Sequence, residues 1–394
     1  MSSHAGDGAG AARAAQWALL AGNFVIGTGV MIVAGTLNEI SRAFRVEPAV
    51  AGQLITAAAA VMCIGAPLLA SAVARWDRRV LLTLSLLWYA AGHLAALAVT
   101  GLGELMALRM LTVIAPAVFT PQAAACIGQL VPATERGRAV TFIFLGWSLA
   151  SVAGLPLGAF IGGRFGWQAA FVAVAAGAVL AAVWVWRTLP PGVRPAPMSR
   201  RAWGEVARHR LLPGVIAVTV LQAAGQFVVF SFFAPLLRRH LGADAVQLGL
   251  VWAWFGAFGL LGNVLASRLV DRLGTGRVVL ATTACMATGL LCWPLGLAGG
   301  WLALAAVLLP WGLGCFAANS AQQARLVALA PALAAGSVAL NSSAMYAGQA
   351  AGTAVGGWLM ARGADAWMNW AGVLLLLGAL GLSALLDRRA GPHR

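Results

Sequence analysis

Twelve long apolar runs follow one another along this chain of 394 residues, separated by short polar stretches. Each run is about 20 residues or longer, which is the length that a helix needs to cross a hydrocarbon layer of about 30 Å. The chain is 61% apolar and only 9% charged, unlike a soluble domain. A β-barrel strand alternates over about ten residues, whereas these runs are uniformly apolar. We therefore predict an all-α integral membrane protein.

The twelve predicted spans take the numbers 1 to 12 in chain order. They are 16–38, 49–73, 80–100, 104–129, 138–163, 167–187, 212–237, 247–269, 277–298, 302–324, 333–359 and 366–386.

The distribution of arginine predicts the orientation of the spans. All 26 basic residues are arginine, and with both termini in the cytoplasm nineteen of them lie on the inner side, six on the outer side and one, Arg109, inside span 4. Such an asymmetry is the positive-inside pattern. The polar residues 1–15 precede a full-length span rather than a short signal core, so we expect no cleavage. The net charge of +15 follows from this topology, and we expect no nucleic-acid binding.

The longest loop, residues 187–213, divides the chain into two sets of six spans. Sliding one set over the other by 194 positions aligns two features, although the loop between spans 10 and 11 needs an insertion or deletion. The aligned features are the glycine run Gly154, Gly158, Gly162 and Gly163 with Gly348, Gly352, Gly356 and Gly357, and the pair Asp77-Arg78 with Asp271-Arg272. We predict a duplicated six-helix half, an arrangement in which transporters place the substrate near the midplane between the halves.

This organisation predicts five segments. They are a cytoplasmic tail (1–15), the first half (16–187), a cytoplasmic linker (188–211), the second half (212–387) and a second tail (388–394).

Over essentially its whole length the sequence resembles the major facilitator superfamily. That family carries a G-x-x-x-D-R-x-G-R-R type motif after the second span of each half. Here "SRLVDRLGTGR" matches it with Asp271 and Arg272, while "VARWDRRVLL" keeps Asp77 and Arg78 but has Val80 at the glycine position. The resemblance implies that these residues hold the inner gate shut; otherwise each Asp is an ordinary solvated loop charge.

The stretch "GWSLASVAGLPLGAFIGGRFGW" resembles the fifth-span motif of the family's drug:proton antiporters. Leu155 separates Gly154 from Pro156, which is typical of the arabinose-efflux-like branch. Small residues four apart, here including Gly158 and Gly162, let helices pack closely in lipid. Pro156 removes a backbone hydrogen bond and is expected to kink the helix. The resemblance implies an exporter of a bacterial cytoplasmic membrane, whose fifth span seals the outer gate.

Polar side chains inside the spans are the candidates for substrate contact and coupling. Arg109 in span 4 matches the arginine of the family's fourth-span motif and is predicted to face the cavity; the alternative is snorkelling to the outer interface. Gln222 and Gln226 in span 7 are one turn apart and share a face. Weaker candidates for substrate contact, for which interhelical hydrogen bonding is the alternative, are Asn23, Asn263, Asn319, Gln322, Asn341, Tyr346 and Gln349.

No acidic residue lies in the middle of a span. A proton-coupled carrier needs a group that can change its protonation state, and the candidates are Asp77, Glu39, Glu104 and, as the weakest, His93. His93 is otherwise interpreted as a packing residue. The five cysteines all lie in spans and include no C-x-x-C pair, so we expect no metal site and no cofactor.

The sequence thus predicts a monomeric secondary transporter that exports small molecules by alternating access, driven by proton influx across the lipid bilayer. An importer of a small metabolite, proton-coupled or facilitative, is the nearest alternative. A membrane enzyme or a non-transporting sensor is the alternative from another class, but no convergent catalytic groups are visible. We do not expect an enzyme.

Overall fold

The computed structural model describes residues 3–73, 75–132, 135–194 and 200–390, and they are almost entirely helical. In the first half, span 1 is Ser3–Gly35 followed by Leu37–Phe44, span 2 is Pro48–Ala51 and Gln53–Ala72, span 3 is Arg78–Ala95, span 4 is Leu102–Thr112 and Ile114–Leu130, span 5 is Arg136–Leu149 and Leu155–Phe165, and span 6 is Trp167–Thr188.

In the second half, span 7 is Leu212–Phe230 followed by Phe233–Leu241, span 8 is Ala245–Leu273, span 9 is Thr275–Leu291 and Trp293–Ala298, span 10 is Gly300–Leu329, span 11 is Ala334–Ala361, and span 12 is Met368–Ala390. A short helix that the sequence analysis did not predict, Arg200–Arg208, lies in the linker.

Every predicted span corresponds to a helix. Within the described part of the chain, ten helices are long and apolar enough to cross a membrane. The two others are Thr275–Leu291, which is shorter at 17 residues, and Ala334–Ala361, which is long enough but carries polar residues such as Asn341 and Gln349. The fold is therefore the predicted all-α membrane fold of two six-helix halves.

Spans 1 and 7 are both interrupted near the same end. Span 1 breaks at Thr36, whose hydroxyl donates to the Ile32 carbonyl (2.8 Å), and span 7 breaks at Phe232. The two breaking residues have nearly the same backbone angles, φ −110° and ψ 15° for Thr36 and φ −115° and ψ 18° for Phe232. The short second segments, Leu37–Phe44 and Phe233–Leu241, extend each helix beyond its predicted end.

Successive spans alternate in direction and so define two ends of the bundle. One end, called here the Glu39 end, holds the short second segments of spans 1 and 7. The opposite end, called here the Asp77 end, holds the loops after spans 2, 4, 8 and 10 and the linker.

The glycines at spacing four form close contacts within each half. A Cβ atom placed on Gly158 of span 5 would lie 2.6 Å from Ile32 Cδ1 of span 1. In the second half, a Cβ atom on Gly352 of span 11 would collide with the Ala224 carbonyl of span 7. Corresponding helices thus pack by the same small-residue contact in both halves, as expected of a duplicated unit.

The two halves meet along two pairs of helices. Span 2 packs against span 11, and span 5 packs against span 8. At the span 5–span 8 contact, Gly163 faces Ala245, and Gly256 lies against the Ser151 carbonyl.

Before Pro156, span 5 forms a turn of π-helix over Ala150–Gly154. Such a turn accommodates the hydrogen bond that proline cannot make.

Candidate functional site

Arg109 lies inside the first half. Its side chain is 4% exposed, and Nη2 donates to the Gly29 carbonyl (2.8 Å) and the Val30 carbonyl (3.2 Å) of span 1. The lack of a side chain on Gly29 lets Tyr89 of span 3 pack directly on this backbone. The guanidinium is therefore held among the helices of one half and does not extend to a bundle end.

His93 of span 3 lies next to Arg109. Its ring is 1% exposed and packs against the rings of Tyr89 (4.4 Å between centroids) and Phe171 (5.2 Å). Nδ1 is 2.8 Å from the Tyr89 carbonyl. A carbonyl only accepts, so Nδ1 carries a hydrogen, and in the neutral ring, the form that burial beside the Arg109 cation favours, Nε2 presents a lone pair. His93 is thus a packing residue with one ring nitrogen satisfied.

Asn23 joins three helices of the first half. Its Nδ2 donates to the Ile143 carbonyl of span 5 (3.0 Å), and its Oδ1 accepts from the Thr120 hydroxyl of span 4 (2.9 Å). The Trp147 indole of span 5 donates to the Thr120 hydroxyl (3.3 Å). Asn23 is fully buried, so these bonds are interhelical contacts.

A matching polar group joins the corresponding three helices of the second half. The Thr219 hydroxyl of span 7 donates to Asn341 Oδ1 of span 11 (2.6 Å), and Asn341 Nδ2 donates to Asn319 Oδ1 of span 10 (3.1 Å). Gln322 of span 10 donates to the Thr219 hydroxyl (3.3 Å) and the Val215 carbonyl (3.0 Å). Three of the predicted substrate-contact residues therefore lie together here.

The two glutamines of span 7 have different surroundings. Gln222 is 4% exposed and donates to the Thr283 hydroxyl of span 9 (2.6 Å), inside the second half. Gln226 is half-buried, and its Oε1 has no hydrogen-bond partner. The structure therefore does not bring Arg109 and Gln222 together, because each is bonded to a helix of its own half.

Tyr346 lies at the contact between the halves. It is 7% exposed and packs with Ala58 and Met62 of span 2 and with Val113 and Ala117 of span 4. Gln349, one turn further along span 11, is also buried, and Asn263 of span 8 is half-buried.

Glu39 connects the halves at the Glu39 end. Its Oε1 accepts from Arg238 Nη2 of span 7 (2.6 Å) and from Arg42 Nη2 of its own segment (3.0 Å). Glu39 is 8% exposed. Beside this pair, Phe232 of span 7 is fully buried against Gly52 of span 2. Sequence analysis found Glu39 but not its partner, because the breaks that bring the two segments together have no pattern in the sequence.

At the Asp77 end, Asp77 and Arg78 make contacts within the first half and with the start of the linker. Asp77 caps span 3, with Oδ1 accepting from the backbone nitrogens of Arg79 (2.9 Å) and Val80 (3.3 Å), and Oδ2 accepting from the Gly192 nitrogen. Arg78 is 2% exposed and donates to the Trp76 carbonyl (2.7 Å). Arg272 is exposed at the end of span 8, and the side chain of Asp271 lies outside the described residues.

An ion pair that the sequence analysis missed lies at the same end of the second half. Arg325 of span 10 is 3% exposed and donates to Asp387 of span 12 (2.8 Å) and to the Ser383 hydroxyl (2.9 Å). A side chain on Gly276 would collide with the Asp387 carboxylate. Asp387 therefore lies at the start of span 9, as Asp77 lies at the start of span 3. A carboxylate at a helix N-terminus is favourable in both halves.

Comparison with known proteins agrees with this architecture. YbcL, an uncharacterised MFS-type transporter of Bacillus subtilis (strain 168), is 24% identical over 366 residues, which are 92% of this chain and 93% of that protein. A chloramphenicol resistance protein of Streptomyces lividans is 33% identical over 252 residues, which are 63% of this chain and 64% of that protein.

Solved structures share the fold at low sequence identity. A bacterial homologue of the human lysosomal transporter Spinster, in an inward-facing and unoccupied conformation, matches with a TM-score of 0.74 and 17% identity over 97% of each chain. A D-xylose–proton symporter matches with a TM-score of 0.72 and 20% identity over 94% of this chain and 96% of that chain.

A family model described as Major Facilitator Superfamily matches residues 19–353 and, in a second alignment, residues 215–392. These two stretches together cover most of the chain and both of its six-helix halves. The chain therefore belongs to the Major Facilitator Superfamily of membrane transporters.

Proposed function

We propose that this transporter exports small neutral or amphipathic molecules by alternating access, in exchange for protons that enter from outside. The Glu39 end is then the outer end, and both termini are cytoplasmic, as the arginine distribution predicts. The observation that carries the proposal is the contact between the halves at the Glu39 end, where Glu39 pairs with Arg238.

The contacts at the two ends favour an inward-facing state. At the Glu39 end, the ion pair and Phe232 connect one half to the other. At the Asp77 end, the bonds of Asp77 reach only its own half and Gly192 of the linker, and the Arg325–Asp387 pair stays within the second half, so neither joins one half to the other. A transporter that rocks its halves around a central site would release the first set of contacts when it opens outward.

The direction and the substrate class are inferred from a relative and from the lining of the interface. The Streptomyces lividans relative is described as a chloramphenicol resistance protein, which supports export of a drug-like molecule. Around Tyr346 the contact between the halves is mostly apolar, with Met62 and Val113. Gln226 of span 7, whose Oε1 is unpaired, is the candidate polar contact. Such surroundings suit a neutral or amphipathic molecule better than a highly charged one.

Glu39 is the residue proposed to bind the coupling proton. Among the side chains that the structure describes, it is the one acidic residue that is buried, and it bridges the two halves. Protonation would remove the negative charge that holds Arg238. The outer end would then open more readily when the outside is acidic.

The proposal is tested by drug accumulation in an exporter-deleted host, with chloramphenicol as the first probe of a panel. We expect cells that express the protein to accumulate less drug than cells with an empty vector, and a protonophore to abolish the difference. Higher accumulation in expressing cells would instead indicate an importer. A difference that persists with the protonophore would contradict proton coupling.

A further inference from the structure

A small cavity lies inside the first half, away from the contact between the halves. It has a volume of about 10 Å³, and its lining includes His93, Arg109, Leu105, Thr112 and Phe171. A cavity of this size has room for about one water molecule, provided that polar partners surround it.

Two buried residues in this lining have polar atoms without a hydrogen-bond partner. Arg109 uses only Nη2 for its bonds to span 1, and its Nε and Nη1 have no hydrogen-bond partner. His93 donates through Nδ1 to the Tyr89 carbonyl, and its Nε2 has no partner. Both residues are more than nine-tenths buried, where an unmet hydrogen bond is costly.

The chemistry of these atoms selects the ligand. A guanidinium can only donate, and with its hydrogen on Nδ1 the imidazole can only accept at Nε2. A ligand between them must accept from Arg109 and donate to His93. Water does both, whereas a halide cannot donate and a metal cation cannot accept.

Two hydroxyls are the other polar groups near Arg109, that of Thr112, which lines the cavity and donates to the Leu108 carbonyl (2.7 Å), and that of Tyr89. The Tyr89 hydroxyl donates its own hydrogen to the Ile26 carbonyl (3.1 Å), and neither Nε nor Nη1 of Arg109 forms a hydrogen bond with it. Neither hydroxyl therefore satisfies Nε or Nη1 of Arg109.

We propose that one water molecule binds in this cavity and joins the Arg109 guanidinium to His93 Nε2. Through this water, His93 holds the side of the Arg109 guanidinium that faces away from the span 1 carbonyls. His93 is therefore a positioning residue for Arg109. This inference does not depend on which molecule is transported or in which direction.

The test is X-ray radiolytic labelling of the purified full chain in nanodiscs, in water enriched with oxygen-18 and read by mass spectrometry. A bound water generates hydroxyl radicals in place and so labels side chains that bulk solvent does not reach. We expect Phe171, which is 2% exposed, to be labelled, and Phe119, which is fully buried against Gly22 within the first half and does not line this cavity, to stay unlabelled. The oxygen-18 should enter the Phe171 product more slowly than it enters products at exposed sites.

Variants at His93 give the second arm of the test. His93→Gln keeps an acceptor and should retain the labelling of Phe171, whereas His93→Leu should reduce it at least fivefold. Ser85→Ala is the matched control, because Ser85 is a buried polar residue of the same helix whose bond stays within that helix. An unlabelled Phe171 in the wild type would overturn the proposal even if His93→Leu does not fold.

Thermal unfolding in chloride, bromide and gluconate separates water from an anion. At equal ionic strength we expect the same melting temperature in all three salts. A halide-dependent melting temperature in the wild type that is lost in His93→Leu would identify a halide in the cavity and overturn the assignment of water.

Discussion

The Glu39 carboxylate of the first half and the Arg238 guanidinium of the second half form an ion pair with 2.6 Å between Oε1 and Nη2. Each residue lies on the short segment that follows a break in the first helix of its half, at Thr36 and at Phe232. The breaks turn two separate helix ends toward each other. The pair therefore links the two halves at one end of the bundle.

Removal of the charge on Glu39 should weaken closure of the Glu39 end. In Glu39→Gln the bond to Arg238 loses its ionic character and leaves a partly buried cation, at a cost of roughly 1 to 3 kcal/mol to the closed state. Pulsed electron resonance between spin labels at exposed Arg45 and Val246, in a cysteine-free background, should show a larger population at long distance.

Arg42→Gln is the matched control for this experiment. Arg42 also donates to Glu39, but its side chain is 67% exposed and lies in the same half. An exposed pair of this kind contributes little, so the distance distribution should stay that of the wild type. If Glu39→Gln and Arg42→Gln gave the same distribution, the pair between the halves would not hold the end closed.

Gly158→Leu should abolish transport and leave membrane insertion intact. A leucine at this position would press on Ile32 of span 1, whereas apolar bulk does not oppose insertion into lipid. Gly381→Leu is the control, because a Cβ atom on Gly381 of span 12 would meet nothing within 4 Å. Drug accumulation and the amount of protein in the membrane are measured together. Normal transport by Gly158→Leu would mean that the close contact of spans 1 and 5 is dispensable.

The two glutamines of span 7 should give different defects. Gln222→Ala removes a buried bond to Thr283, so it should lower the melting temperature, with a loss of roughly 0.6 to 1.7 kcal/mol as found for such bonds in membranes. Gln226→Ala removes an unpaired oxygen, so it should change the apparent KM by an amount that depends on the substrate and leave the melting temperature unchanged. A lower melting temperature for Gln226→Ala, together with a substrate-dependent change of KM for Gln222→Ala, would contradict the surroundings that the structure gives to these two residues.

Asn341→Leu should destabilise the second half. It leaves the Thr219 hydroxyl and Asn319 without their buried partner, which should cost about 1 to 3 kcal/mol. Asn263→Leu, at a half-buried position of span 8, should affect stability much less. Thermal unfolding in detergent measures both variants. Equal melting temperatures for the two would show that the polar group of spans 7, 10 and 11 does not hold these helices together.

Features that depend on residues close together in the sequence could be predicted from it. Hydropathy predicted the twelve spans. The offset of 194 positions between glycines such as Gly158 and Gly352 predicted the duplication, because close helix contacts in both halves need small residues at the same period. Hydropathy did not predict the breaks at Thr36 and Phe232, because it reports how apolar a segment is and not where its backbone bends.

The partners of polar residues could not be predicted. Periodicity tells which side of a helix a residue occupies, but it does not tell which neighbour lies there. For example, the sequence did not show that Arg109 donates to carbonyls of span 1, or that Gln222 donates to Thr283 within the second half. Arg325 and Asp387, which are far apart in sequence, carry no motif that indicates their pairing.

The most direct test of proton-driven export is chloramphenicol uptake into proteoliposomes under an imposed pH gradient. An antiporter moves drug against the flow of protons whichever way it is inserted, so an acidic lumen should drive drug into the vesicles above its equilibrium level. An ionophore that dissipates the gradient should release the drug, and vesicles with Gly158→Leu should not accumulate it. Accumulation driven only by an acidic outside medium would show symport and contradict the account.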